Sequence, residues 1–483
     1  MQISNINLIA GQVRKDAFKT KTIFLVWALY SLLCLYAAYS GYAIFDRQND
    51  IRIHYQTLAR ESWENNPDKH PHRMAHFGSF AFRLQHPLSL FDFGIEKYVG
   101  NAVFLEAHKQ NTVNFSEAGF STGLLRFGEI SLAMLLQLML PLILFFIGFA
   151  VVAGERENGT LKVLLSQGAS WSEILLGKSL GIMQLALFFC APAVLLFLSI
   201  TAFSSTDHLF RVQLWPRTLM VLFSSLIYLW IISVATVLVS AFSQTAKDAI
   251  LRLLGIWLLF TIVLPKTTQS LGAYLFPSPS KVQFDAIVEQ DLIRQGDSHN
   301  PDDPHYQALK DSLLQAYQVA TVEELPFNYS GFIMQEGERI SSAIYNRHKE
   351  ALVRTYQKQN AFAAALAWVN PYTALKNISS AFCGTGFDAY LDFQSQAEDY
   401  RYQLAQEMNA LQIKLISNRK LGEAEQPYRI DRSHWEAFPD FKYHFLPFQR
   451  VFGLTWVALT ALAIWLILSF VLVFAAVRYL QVQ

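Results

Sequence analysis

The chain has 483 residues, 52% of them hydrophobic and 16% charged, with a mean hydropathy of +0.23. That average is too apolar for an ordinary soluble globule and excludes a disordered chain. A formal net charge of +1 offers no basic footprint for nucleic acid, and three cysteines, with Cys34 and Cys190 in apolar runs, give no disulfide framework.

In chain order, residues 1–22 come first, with Ile3, Ile6, Ile9 or Ala10, Val13 and Ala17 at helical spacing and basic residues toward the end, the pattern of an interfacial amphipathic helix. Uncharged runs follow at Ile23–Ile44, Ile130–Ala153, Ser179–Phe203, Thr218–Phe242 and Val451–Val477. Each is long enough to cross about 30 Å of hydrocarbon as a helix. A sixth run, Leu251–Phe276, is weaker, because Arg252 sits at one end and Pro265-Lys266 interrupt it. The expected division is therefore an amphipathic segment at 1–22, spans at 23–44, 130–153, 179–203, 218–242, 251–276 and 451–477, a link at 154–178, and insertions at 45–129 and 277–450. The first run lies too far along the chain for a signal peptide and no small-residue cleavage site follows it, so it is expected to stay as an anchor.

Arg14, Lys15, Lys19 and Lys21 precede the first span against a single acid, Asp16. The positive-inside bias then puts the N-terminus in the cytoplasm, and Lys162, Lys178, Lys247, Arg252 and Arg478 agree, which leaves both insertions outside. The outer segments read as helical. Ile340, Ile344, His348, Leu352 and Tyr356 recur every fourth residue in a run ended by Asn370-Pro371, and Ala397, Tyr400, Leu404, Met408, Leu411 and Leu415 form a second stripe that stops at Gly422. The two stripes can bury each other as a hairpin; upstream of both, Arg294–His305 reads as a turn-rich connector with Asp302-Asp303 as turn residues.

The link Gly154–Gly181 carries the densest local information. Asn158-Gly159 is a turn signal, Thr160 is placed to cap a short helix Leu161–Ser166, Gly168 ends it, and Ser170 with Glu173 has capping-box spacing into the third span. The run Glu155-Arg156-Glu157-Asn158-Gly159-Thr160-Leu161 resembles the mark of the permease subunits of ABC-2-type transporters. A closer resemblance, carried by His76-Phe77-Gly78, His86-Pro87-Leu88, Leu105-Glu106-Ala107-His108, Asp302-Asp303-Pro304-His305, Leu325–Gly331 and Asn346-Arg347-His348, is to a subfamily with large extracytoplasmic loops grouped under a domain of unknown function in Gram-negative bacteria. The resemblance implies an all-α polytopic protein of the bacterial inner membrane with six transmembrane helices, an N-terminal elbow helix and a mostly helical extracytoplasmic domain. It implies that Glu155, Arg156, Glu157, Gly159, Thr160 and Leu161 couple to an ATPase. It also implies that this chain binds no cofactor, that ATP and Mg are used by a partner ATPase dimer, and that a second permease, identical or related, completes the complex within membrane lipid.

Other residues have competing readings. Leu176-Gly177-Lys178-Ser179 ends like a phosphate-binding loop, but Ser172 stands where the first glycine belongs, so Lys178 is expected at the headgroups and ATP hydrolysis in another polypeptide. Lys266 should snorkel to the outer headgroups or contact a translocation path. All 12 histidines fall in the segments read as external; His70, His72 and His76 are the candidate metal ligands, but Pro71 is expected to break any helix that would align them. Pro141 and Pro192 are expected kinks. The sequence thus reads as an exporter permease without catalysis of its own. The alternatives are an ATP-driven mechanical transmitter acting on a periplasmic partner and a membrane-embedded metal-dependent enzyme.

Overall fold

The computed structural model describes residues 2–96, 98–111, 130–203, 208–296, 300, 302–418 and 428–480. Gly422 and His299 lie outside them, as does the side chain of His208. The described chain is mostly helical with a single two-stranded sheet, and six helices are long and apolar enough to cross a membrane, the pattern of a multi-pass membrane protein. In order these are α2 (Lys21–Glu64), α4 (Leu132–Glu157), α6 (Trp171–Phe203), α7 (His208–Phe242), α8 (Ala246–Leu275) and α16 (Trp456–Leu480).

A shorter helix, α1 (Ile3–Lys19), precedes them and packs along α6. The contact is close because α6 offers no side chain there. A Cβ on Gly177 would lie 2.8 Å from Ile9 Cβ, and one on Gly181 would lie 2.7 Å from Val13 Cβ. Glycines four residues apart on one helix face let two backbones approach within a membrane, where packing replaces the hydrophobic effect as the driving force. Ile9 and Ala10 are buried by this contact, whereas Ile3 and Leu8 stay exposed.

The apolar core of the bundle is built from α4, α6, α7 and α16, with Leu144, Phe145, Phe189, Phe197, Val237 and Val473 fully enclosed. Two spans break regular helix geometry in the same way. A π-turn at Leu135–Met139 precedes Pro141, and another at Leu259–Val263 precedes Pro265. Proline lacks an N–H and its ring collides with the carbonyl four residues back, so a widened turn relieves the clash and orphans carbonyls. Neighbouring helices satisfy these: Tyr228 Oη donates to Gln137 O at 3.2 Å, Trp257 Nε1 to Leu138 O at 3.1 Å, and Asn370 Nδ2 to Phe260 O at 2.7 Å.

Outside the spans, α2 runs unbroken to Glu64, well past the expected end near Ile44. Its 44 residues correspond to about 66 Å, roughly twice the hydrocarbon thickness. The far half enters a polar lobe, where Trp63 Nε1 donates to Trp435 O at 2.8 Å and Arg60 Nη1 to Phe438 O at 2.9 Å. The lobe contains α3 (Pro71–Phe77), an antiparallel pair of β1 (Ser79–Phe82) and β2 (Ala102–Leu105) in which Phe80 faces Phe104, helices α9 (Lys281–Gln295), α10 (Pro304–Tyr317), α11 (Tyr329–Ala365) and α13 (Phe387–Leu415), and the short α14 (Ser433–Glu436); α15 (Phe448–Leu454) then leads into α16. Helices α11 and α13 pack antiparallel, the start of one on the end of the other: a Cβ on Gly331 would lie 2.9 Å from the Ile413 nitrogen.

These are the two stripes read from sequence, but they are not joined by a simple hairpin turn. Between them α12 (Pro371–Phe382) leaves the lobe and packs into the membrane bundle against α7 and α16, burying Ala374, Leu375, Ile378 and Phe382.

We expect Gly181→Leu to displace α1 from α6 at a cost of about 1–3 kcal/mol, read as a lower Tm in detergent and faster proteolysis within residues 3–19. A variant with unchanged Tm and unchanged protection of that segment would refute the close approach.

Candidate functional site

The link between α4 and α6 is built by two left-handed glycines. Gly159 (φ 76°) ends α4 and opens α5 (Thr160–Ser166), and Gly168 (φ 89°) closes it. At the closing end Ala169 N donates to Leu164 O at 3.2 Å and Gly168 N to Leu165 O at 3.1 Å, the paired bonds of a Schellman termination. Thr160 is not the cap expected of it. Gly159 holds that position, and Thr160, as the first helical residue, turns its hydroxyl back to donate to Glu155 O at 3.3 Å. Leu161 is buried and anchors the helix on the bundle.

The acidic-basic run before Gly159 is tied to two spans. Glu155 Oε1 lies 2.6 Å from Lys178 Nζ, which also donates to Val151 O at 2.7 Å. Lys178 does not extend away from the bundle; its side chain is 3% exposed, enclosed between α4 and α6. Arg156 donates to Ser243 O and, at 2.7 Å, to Ala241 O, placing a cation on the last carbonyls of α7, where a helix accumulates partial negative charge. Next to it, Ser240 Oγ accepts from Val152 N and Ala153 N, both at 3.0 Å, and donates to Phe149 O at 2.7 Å, bridging a break in α4. Glu157, by contrast, is exposed.

The capping box at the start of α6 is formed: Ser170 Oγ accepts from Glu173 N at 3.3 Å, and Glu173 Oε2 accepts from Ser170 N at 3.0 Å. The same carboxylate accepts from Gln2 N at 2.6 Å and Asn5 Nδ2 at 3.3 Å, so it also holds the first turn of α1. One acid thus serves two helix N-termini, each a source of unsatisfied N–H groups. A crevice of about 930 Å³ opens between α1, α2, α4 and α6, with Asp16, Glu155 and Lys178 in an otherwise largely apolar lining. The C-terminal end of α16 reaches the same end of the bundle, with Tyr479 5.8 Å from Phe242.

The remaining sequence candidates separate. Lys266 is exposed on α8 and does not point into the bundle. Other polar groups do enter it: Gln137 on α4 and Asn370 and Ser379 at α12 are buried, as is Asp92, which accepts from Ser379 Oγ and, at 3.0 Å, from Gly94 N. Gln137, Ser379 and Asp92 carry no local motif, and Asn370 is marked in the sequence only as the end of the preceding run.

Pro71 does not break a helix; it begins one. His70 is the N-cap of α3 and its Nδ1 accepts from His72 N at 3.2 Å, with Pro71 in the first turn, where its missing N–H costs nothing. His86-Pro87 repeats the device, with His86 Nδ1 accepting from Leu88 N at 3.2 Å, and Asp303-Pro304 and Asn370-Pro371 do the same with Oδ1 acceptors. His70 is thus occupied as a cap, whereas His72 and His76 fall on one face of α3. Burial pushes the His70 imidazole below its ordinary range, helped by Arg73, and pushes His86 well below it, helped by Arg217.

Residues 281–444, which span α9 to α13 and part of the chain beyond, match a protein family described only as Domain of unknown function (DUF3526). No curated protein matches the chain.

Two outcomes follow from these contacts. Glu155→Ala should destabilise the protein by about 3 kcal/mol because it strands a buried ammonium, and the double variant Glu155→Ala/Lys178→Met should recover most of that loss; a double variant no more stable than the single one would show that the pair is not the origin. The second concerns pH. His86 is neutral in the fold, so its stabilisation is present above the unfolded imidazole value of about 6.5 and is lost as pH falls below it. The Tm measured from pH 8 to 5 should fall less steeply for His86→Asn, which keeps an acceptor for the cap but does not titrate, and equal slopes would contradict a buried neutral His86.

Proposed function

We propose that this chain is the permease subunit of an ABC-2-type transporter, and that α5 is the element on which a separate ATPase docks. One arrangement carries the reading: a stiff seven-residue helix is held across one end of the bundle by left-handed glycines, tied to α6 through Glu155–Lys178 and to α7 through Arg156. Both ties lie within five residues of the start of α5, so a push on the short helix is delivered to two spans at once. Glu157, Thr160, Lys162 and Val163 remain exposed on this surface and are available to a partner. In this reading Glu155 and Arg156 transmit force and Glu157 makes the intermolecular contact.

The cations Arg14, Lys15, Lys162 and Lys247 gather at the same end as both termini of the described chain, which supports a cytoplasmic placement of that end in the inner membrane, with the polar lobe outside. Helix α1 would be the elbow helix. ATP and Mg would be held by the ATPase dimer, a second permease would complete the path, and ATP-driven closure would rock the bundles to move substrate outward. The buried polar set of Gln137, Asp92, Asn370 and Ser379 around α12 is a better candidate for the path than Lys266.

One observation favours the second reading, a mechanical transmitter. Helix α2 is a single rod that lines the crevice beside α5 with Ile23 and Val26 and ends in the lobe core with Trp63, so displacement at one end would reach the other without a hinge.

In a complex reconstituted with its ATPase, Glu157→Ala should leave insertion and assembly intact and lower substrate-stimulated ATP hydrolysis about tenfold, the equivalent of about 1.4 kcal/mol; unchanged stimulation would overturn the docking assignment. Spin labels at Thr57 on α2 and Lys358 on α11, both exposed, would separate the two readings. A distance change on ATP binding with no substrate transport into vesicles supports the transmitter, and transport supports the permease.

A further inference from the structure

The lobe carries a constellation that the coupling machinery does not use. His72 and His76, four residues apart on α3, bring their Nε2 atoms to 3.2 Å, with the rings edge to face at 4.6 Å. His108 joins them from the turn after β2, its ring 5.6 Å from that of His72 and 5.3 Å from that of His76. The three potential ligand nitrogens all lie within 4.8 Å of one another. Nitrogens bound to one tetrahedral zinc at 2.0–2.1 Å stand roughly 3.3–3.4 Å apart. The His72–His76 separation already matches one such edge, and the spread to His108 is within reach of side-chain rotation.

Three further observations show that His108 is placed there by construction. Its backbone is left-handed at φ 61°, a conformation that costs a non-glycine residue energy and persists only where its surroundings impose it. The turn is fastened to α3 by Ala107 N donating to Ala75 O at 3.3 Å and closed by an antiparallel backbone pairing of Glu106 with Lys109. Glu338 on α11 then takes both donors of His108: backbone N at 2.8 Å and ring Nδ1 at 3.1 Å. Glu338 is itself held by Arg401 Nη1 at 2.7 Å. With Nδ1–H committed to that carboxylate, His108 presents Nε2 to the other two rings. A carboxylate fixing the tautomer and orientation of a histidine in this way is the outer-shell partner typical of metal-ligating imidazoles.

We propose that His72, His76 and His108 form a binding site for a zinc-class divalent transition-metal ion, with Glu338 as the residue that positions His108. Three neutral imidazoles suit Zn²⁺, Cu²⁺ or Ni²⁺ and not a hard cation such as Mg²⁺ or Ca²⁺. Because His76 is exposed, the fourth coordination position faces solvent, which makes the ion exchangeable and open to a further ligand. The proposal is independent of the transporter reading: it concerns the lobe alone and holds for a permease or a transmitter.

The test uses the full-length protein in detergent, stripped with chelator and titrated with Zn²⁺ alone against a chromophoric competitor. One equivalent per chain is expected, with Zn²⁺ raising the Tm. His76→Phe, an exposed position that should fold normally, and His108→Ala should each weaken binding at least tenfold and abolish the Tm shift, whereas His70→Ala, which removes only a cap, should keep it. Glu338→Gln should weaken binding about 10–100-fold while one equivalent of Co²⁺ at saturating concentration still gives a tetrahedral visible spectrum. The proposal is overturned if the parent binds no Zn²⁺ beyond what a His72→Ala/His76→Phe/His108→Ala variant binds, which would leave the trio as packed rings joined by a His72–His76 hydrogen bond. It is equally overturned if His76→Phe binds as tightly as the parent.

Discussion

An ammonium enclosed among apolar helices is costly unless an anion and oriented carbonyls surround it, and Lys178 is the residue around which one end of this bundle is organised. Its partners decide what else must be in place. Glu155 has to sit on the last turn of α4, which requires α4 to end there and turn at Gly159. Val151 O has to be released from regular helix bonding, which the break at Phe149–Val152 provides, with Ser240 of α7 satisfying the groups the break exposes. The flanking Gly177 and Gly181 admit α1 against the same stretch of α6, and Glu173 one turn earlier fixes the start of α1. The link helix, the N-terminal helix and two spans are consequently one mechanical unit, and this is the structural basis for reading α5 as the place where force enters.

The bundle shows a second constraint, that backbone polar groups at membrane depth need partners inside the protein. Prolines in α4 and α8 are accommodated by π-turns, and the displaced carbonyls draw Tyr228, Trp257 and Asn370 toward them. Asn370 is the more consequential of these. It caps α12, so the bond from its side chain to Phe260 pins a helix from the polar half against a span and brings Ser379 and Asp92 into the interior. A break imposed by proline chemistry in one helix thereby sets the position of another that does not cross the membrane.

Outside the six long apolar helices the recurring device is a polar residue before proline. His70, His86, Asp303 and Asn370 each accept the N–H two positions on, with proline in the first turn, and each starts a helical segment. Reading proline only as a breaker misplaces these starts and, at Pro71, hides the alignment of His72 with His76. The cap also sorts chemically equivalent residues: His70 and His86 are committed to backbone, whereas His72, His76 and His108 converge.

Six apolar blocks, the Ser170–Glu173 capping box and the two long amphipathic stripes were all legible in the sequence, because each is a relation between residues within a few turns of one another. What only the tertiary structure decided is what those faces and charges meet. Periodicity records which side of a helix avoids water but not its neighbour, so nothing local announces that Glu173 also holds Gln2, that α12 returns to the bundle, or that Lys266 stays exposed while Lys178 is enclosed. The histidines show the same divide. The spacing of His72 and His76 is written in the chain, but His108 reaches them only because a hairpin turn held in a left-handed conformation is fastened to α3 and to Glu338, and the energy of that placement comes from contacts between segments far apart in sequence.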